Sequence, residues 1–255
     1  MNYKYIILIL SCSKMDKDNV YSQSLDKYQT LKQYQKIYLD LFTSSIKFFF
    51  LEYKNDMCED IAEIHDFIYI KGQEDPIIPN LLNKTILAIN YVKSKYNFDY
   101  ILRTNLSSIW NIPNLLSLYD KIPRNNFFGG HVNYHHISFI TGTGIFISND
   151  LIEKLLEIMN HTYYELDDVS ISIHMKNNNI QMYPLNNMTN YKWNFQILDE
   201  NVTDINSGHH KNNNIEINDD TYINDILYFR VKNYTIERDL FVTKKILKKI
   251  YNIVI

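Results

Sequence analysis

Two adjacent carboxylates, Asp167 and Asp168, and a compact set of cations, Arg230, Lys232 and Arg238, are residues of this sequence whose types and spacing could do chemistry. A carboxylate within hydrogen-bond reach of a hydroxyl can take its proton as that hydroxyl attacks. A guanidinium can grip phosphate oxygens through paired hydrogen bonds, while an ammonium meets them as a point charge. Earlier in the chain, Arg103-Thr-Asn-Leu-Ser-Ser-Ile-Trp-Asn111 brings Arg103, Asn105 and Ser107 directly out of the apolar run Tyr100 to Leu102. Each group also has a plainer use. Aspartates start and cap helices, where the macrodipole favours their charge, and Arg230 and Lys232, two residues apart, would share one face of a strand.

The elements that must position these residues alternate along the chain. Lys4 to Leu10 is predicted as a strand, Tyr28 to Phe42 as an amphipathic helix, and Ile46 to Leu51 and Asp66 to Ile70 as further strands. Ile78 to Tyr96 is predicted as a helix with Leu82, Ile86, Ile89 and Val92 on its apolar face, followed by the central strand Tyr100 to Leu102. Such alternation implies an α/β fold with a mostly parallel, Rossmann-like sheet sandwiched by helices. The second half is less regular. It offers strands at Asn126 to Gly130 and Gly144 to Ser148, a helix from Asp150 to Met159 and a final helix from Thr243 to Ile253. Ligands of such sheets sit at the carboxyl ends of the strands, which singles out Ser11 and Ser13 as well as Arg103 to Ser108.

Composition narrows the function classes. The 255 residues suit one domain, with no Pro-, Gly- or Ser-rich linker to divide them. A formal net charge of −3 and a pI near 6.2 argue against a nucleic-acid binder. Cys12 and Cys58 build no disulfide framework and no zinc pair, which suits a reducing, cytoplasmic setting. The apolar run Tyr5 to Leu10 is too short to span a bilayer and reads as a buried strand, so no transmembrane segment is expected. The Asn-x-Ser/Thr matches at Asn83 and Asn105 fall inside structured segments, and the asparagine runs at 177–179 and 212–214 mark surface loops. No Gly-rich dinucleotide fingerprint, P-loop, HExxH or GxSxG is present.

Four segments together say more: Asn80-Leu-Leu-Asn-Lys-Thr85, Arg103 to Asn111, Thr141-Gly-Thr-Gly-Ile-Phe-Ile-Ser148, and Leu166-Asp-Asp-Val-Ser-Ile-Ser172. In this order and spacing the chain resembles the inverting β-1,3-glycosyltransferases of the galactosyltransferase and Fringe type, over roughly residues 66 to 175. It also resembles glycosyltransferases of large DNA viruses, which would place it in the host cytoplasm. The resemblance implies the nucleotide-sugar-binding GT-A fold across 1–255, with a nucleotide-binding half at 1–111 and an acceptor and catalytic half at 112–255. It further implies a nucleotide-diphosphate-sugar donor, a UDP-sugar above others, and a glycan or protein acceptor. Carried over by residue, Asp168 falls on the catalytic base, with Asp167 beside it as the alternative. Lys84 falls on the helix lysine, Asn105 and Ser107 on the outer acids of the metal-binding cluster, and Gly142, Thr143 and Gly144 on the GTG segment.

Here the chain departs from that family. Asn105 and Ser107 are neutral and poor ligands for a divalent ion, which prefers carboxylates. No metal cofactor is therefore expected, and Lys84, Arg103, Arg230 and Lys232 are the cations that could meet the departing diphosphate instead. The alternative keeps Mn2+ or Mg2+, with His209 or His210 as a ligand. Trp110 or Trp193 could stack on a sugar or base ring, although core packing is the commoner duty of Trp. His131, His135 and His136 lie between the central strand and the GTG segment, where an acceptor could approach, although a surface or core duty is the commoner one for such histidines. Two other functions stay open: a catalytically silent relative that binds nucleotide sugar or glycan, and an unrelated nucleotide-binding α/β protein such as a nucleotidyltransferase.

Overall fold

The computed structural model describes residues 2–12, 25–74, 76–185, 226–231 and 236–255. Strand β1 (Asn2–Leu10) is buried from Tyr5 onward. Its side chains alternate between two cores, with Tyr5, Ile7 and Ile9 in one and Ile6, Leu8 and Leu10 in the other. A strand covered on both faces has no polar side to show, which is why this stretch is an unbroken apolar run.

On one flank β1 pairs in parallel with β2 (Ile46–Lys54), which pairs in parallel with β4 (Phe67–Lys71); β3 (Ile61–Ile64) closes that edge antiparallel. On the other flank β1 pairs in parallel with β5 (Asn97–Asn105). Beyond β5 come β8 (Ile137–Ser148), β7 (Phe128–His135) and β9 (Met182–Pro184), giving the order β3-β4-β2-β1-β5-β8-β7-β9. Four of the seven pairings are parallel, so the sheet is mostly parallel as predicted. The antiparallel content of the second half arises because β7 and β8 are joined through His136 alone, with φ +49°, far too short for a crossover helix. The two halves, 1–111 and 112–255, thus share one sheet.

Helices cover both faces. Helix α1 (Leu25–Leu39), α3 (Ile112–Tyr119) and α6 (Ile236–Tyr251) contribute to the core around Tyr5. Helix α2 (Ile77–Lys95), α4 (Ile152–Leu156) and α5 (Asp167–Asn177) contribute to the core around Ile6. The single helix expected from Asp150 to Met159 is instead a short α4 between two 3-10 turns, Asn149–Leu151 and Glu157–Asn160. Tightened turns are frequent at helix ends, and they still bury Leu151, Leu155 and Ile158. The last helix begins seven residues earlier than its apolar pattern suggested, at Ile236 rather than Thr243.

A small two-stranded ribbon bridges distant parts of the chain. Strands β6 (Ser108–Trp110) and β10 (Tyr228–Arg230) pair antiparallel, with Arg230 opposite Ser108. Their pairing carries a residue from near the end of the chain to the polar segment beyond β5.

Candidate active site

The site begins where β5 leaves the core. Arg103, only 3% exposed, turns its guanidinium inward, 2.5 Å from the carboxylate of Asp167, and donates to the carbonyl of Gly142. Thr85 of α2 donates to the same Asp167 oxygen at 3.2 Å. Burial raises the Asp167 carboxyl, and Arg103 and Thr85 act against that rise. An ion pair this enclosed is a structural tie, since separating its partners would strand a charge away from water. Asp167, offered as the alternative base, is held out of reach of any hydroxyl in the open site.

Asp168, the next residue, is half-buried rather than enclosed. One of its oxygens accepts the Gly142 N–H at 2.8 Å, and the other accepts the Val169 N–H at 2.9 Å. The second bond satisfies one of the free N–H groups in the first turn of α5, whose N-cap position is Leu166, without a side-chain cap.

Gly142 is the junction of the site. Its N–H goes to Asp168, while its carbonyl accepts from Arg103 and, at 3.2 Å, from Asn105 Nδ2. A Cβ at this position would collide with Arg103 Nη1 and stand 3.2 Å from Asp168 Oδ2, so the absence of a side chain lets Arg103 and Asp168 converge. Asn105 Oδ1 in turn accepts from Ser107 Oγ and Ser108 Oγ, both at 3.0 Å, and from Arg230 Nη1 at 3.3 Å. Burial pushes the Arg230 guanidinium below its usual range, with Tyr228 and Asp168 opposing that shift. Asn105, Ser107, Asp168 and Arg230 are all half-buried, forming a polar cluster that a ligand can reach.

Other expected donor-binding residues have internal work. Lys84, 1% exposed, donates to the Ser11 carbonyl at 2.8 Å and to Glu74 Oε2 at 2.6 Å. Ser11 Oγ donates to Glu52 Oε1 at 2.8 Å, where Lys32 Nζ also arrives at 2.6 Å. Lys84 and Arg103 were expected to face a diphosphate. Both are instead enclosed by this chain's own oxygens, because a cation buried this deeply must be paired. Thr143 Oγ1 sits 2.7 Å from Thr141 Oγ1 and 2.9 Å from the Tyr228 hydroxyl. Gly144 lies beneath Trp110, whose ring would be 2.7 Å from an added Cβ. Trp110 is 1% exposed and donates to Thr104 Oγ1 at 3.0 Å, so it belongs to the core and stacks on no ligand.

Burial lowers His131 to about 4. Ser13, Lys232, His209, His210 and Trp193 lie outside the described residues, as does the side chain of Arg238. Sequence reasoning passed over Thr85, Lys32, Glu52 and Glu74. A signal existed for one of them: Glu52 is a lone acid inside the apolar run Phe48 to Tyr53, which calls for a buried partner.

Asn105 Oδ1 already accepts three donors, one of them a guanidinium that carries positive charge at that spot. Among the described residues no group of three or more His, Cys, Asp or Glu could hold a metal.

No protein-family model matches the chain, and no curated protein does. Among solved structures it is similar to the catalytic domain of Drosophila beta-1,4-galactosyltransferase 7 in complex with xylobiose. The identity is 12% and the TM-score 0.40, over 71% of this chain and 64% of that one. The chain thus spans just under two thirds of that domain, and a likeness this distant assigns no residue a role. No described helix is long and apolar enough to cross a membrane.

Proposed function

We propose that this protein is an inverting glycosyltransferase of the GT-A type that transfers a sugar from a nucleotide-diphosphate sugar to a hydroxyl without a metal ion. The observation that carries this is the meeting of Asp168, Asn105 and Arg230 around the Gly142 peptide, at the carboxyl end of the central strand β5. That is where ligands of α/β sheets bind. In the transfer, the acceptor oxygen forms a bond to the anomeric carbon as the bond to the diphosphate oxygen breaks on the opposite face. The hydroxyl proton passes to Asp168, and the charge gained by the diphosphate is met by Arg230. Arg103 and Asp167 touch neither reactant. They hold the Gly142 peptide, and through it the Asp168 carboxylate.

A second possibility, a nucleotide-sugar binder without turnover, has one observation in its favour: both Asp168 oxygens already accept backbone N–H groups. One experiment separates the two. The protein is incubated with a panel of nucleotide sugars, with and without EDTA, while nucleotide release and thermal shift are followed. Transfer or hydrolysis that survives EDTA and falls at least about a hundredfold in Asp168→Asn, with the donor-induced thermal shift retained, is the expected result. Donor binding without turnover in the wild type favours the binder, turnover abolished by EDTA overturns metal independence, and no binding to any donor overturns both.

A further inference from the structure

The acidic bias of the whole chain, net charge −3, makes one helix face conspicuous: four lysines, Lys244, Lys245, Lys248 and Lys249, fall within six residues of α6. The helix buries Val242, Thr243, Ile246 and Leu247. On the opposite side Phe241, Lys244, Lys245 and Lys248 follow one another at i, i+3, i+4 and i+7, and all four are exposed. The Lys245 ammonium stands 4.4 Å from the centroid of the Phe241 ring, and Lys244 lies 5.8 Å from that of Tyr34 on α1. Among the described residues, no ion pair involves Lys244, Lys245 or Lys248.

We propose that this face of α6 docks on an anionic lipid bilayer. A row of ammonium groups on long flexible stems meets headgroup phosphates and carboxylates without demanding a fixed geometry, and the effect is additive along the row. The aromatic ring among them, 44% exposed, favours a lipid surface over a nucleic-acid duplex. The phosphodiester backbone of a duplex, with its bases stacked inside, offers an apolar ring no environment, whereas the headgroup boundary accepts a cation and a ring together. Lys rather than Arg along the whole row agrees with attraction to a diffuse negative surface rather than to single phosphates held bidentately. Docking is peripheral, with the other face of α6 remaining in the core.

The test is sedimentation of the full chain with phosphatidylcholine vesicles that contain or lack phosphatidylserine, at low and high salt. Binding should require phosphatidylserine and weaken as salt is raised. Each Lys→Gln change should lower the partition coefficient about fivefold, so that K244Q/K245Q/K248Q loses about a hundredfold while its thermal unfolding midpoint is unchanged. Phe241→Ser should weaken binding without altering the salt slope. Equal binding to vesicles without phosphatidylserine, no binding to either kind, or undiminished binding by the triple variant overturns the proposal. So does tighter binding to duplex DNA than to the anionic vesicles, which would assign the face to a nucleic acid. Turnover of nucleotide sugars plays no part in any of these readouts.

Discussion

Adjacent aspartates with opposite surroundings illustrate how much a single residue's role depends on where its side chain points. Asp167 and Asp168 are indistinguishable by type, yet one is tied to Arg103 and Thr85 in the interior, while the other is half-buried and accepts the N–H of Gly142, whose carbonyl accepts from Asn105. The Arg103–Asp167 tie is a residue-scale prediction. Arg103→Met or Asp167→Asn should each destabilise the protein by about 3–5 kcal/mol in urea unfolding, because either leaves its partner's charge or hydrogen bonds uncompensated in the interior. The double change R103M/D167L should recover much of that loss. Asp168→Asn keeps one of the two accepting oxygens at a half-buried position and should cost less, about 1–2 kcal/mol. If the two aspartates proved equally costly, the division between tie and base would be wrong. The adjacency was legible in the sequence; the partners were not, since Thr85 and Arg103 are far from Asp167 along the chain.

The element scale turns on β8, whose Gly142 and Gly144 serve two different close approaches. Gly142 leaves room for Arg103 and Asp168, and Gly144 for Trp110, which also packs on Phe146 and on Tyr228 of β10. A methyl group at 144 must push the indole toward β10. Gly144→Ala should therefore cost about 1–3 kcal/mol as an overpacked core site. It should also alter the near-ultraviolet circular dichroism of the aromatic side chains and weaken donor binding, because β10 carries Arg230. An unchanged unfolding midpoint with normal donor affinity would disconnect the glycine from the site. The TGTG spacing was visible from the start, but its natural interpretation was contact with a ligand. Only the packing of Trp110 shows that Gly144 answers to this chain's own side chain.

For the whole molecule, a sheet enclosed on both faces leaves titratable groups inside, and two histidines make stability depend on pH. Burial lowers His131 to about 4 and lowers His174, whose ring lies between the Tyr163 hydroxyl and the Lys154 carbonyl. Because a carbonyl only accepts, His174 Nε2 carries a proton, and this bond opposes the lowering that burial causes. For a histidine whose folded value lies below its unfolded value of about 6.5, the unfolded state binds the proton first. Stability is then complete above about pH 6.5 and is lost as pH falls toward 4. The urea midpoint should fall between pH 7 and pH 5, and His131→Gln should flatten part of that slope. A midpoint that rises on acidification over this range would contradict the sign.

Much of the architecture was written locally. The apolar runs of β1 and β2, the 3.6-residue periodicity of α2 and their alternation are short-range patterns, and they specified a mostly parallel, helix-covered sheet without reference to any distant residue. Asp168, Asn105, Ser107 and Arg230 stood out in the sequence by type and place as groups that could do chemistry. The tertiary structure alone decided which side chains come together and which are enclosed. The β6–β10 pairing joins Ser108 to Arg230 across more than a hundred residues, and the fold sends Arg103 and Lys84 inward to Asp167 and Glu74. Residue type determines what a group can do, whereas burial and partners determine whether it is free to do it, and those are set by contacts between segments that no local pattern encodes.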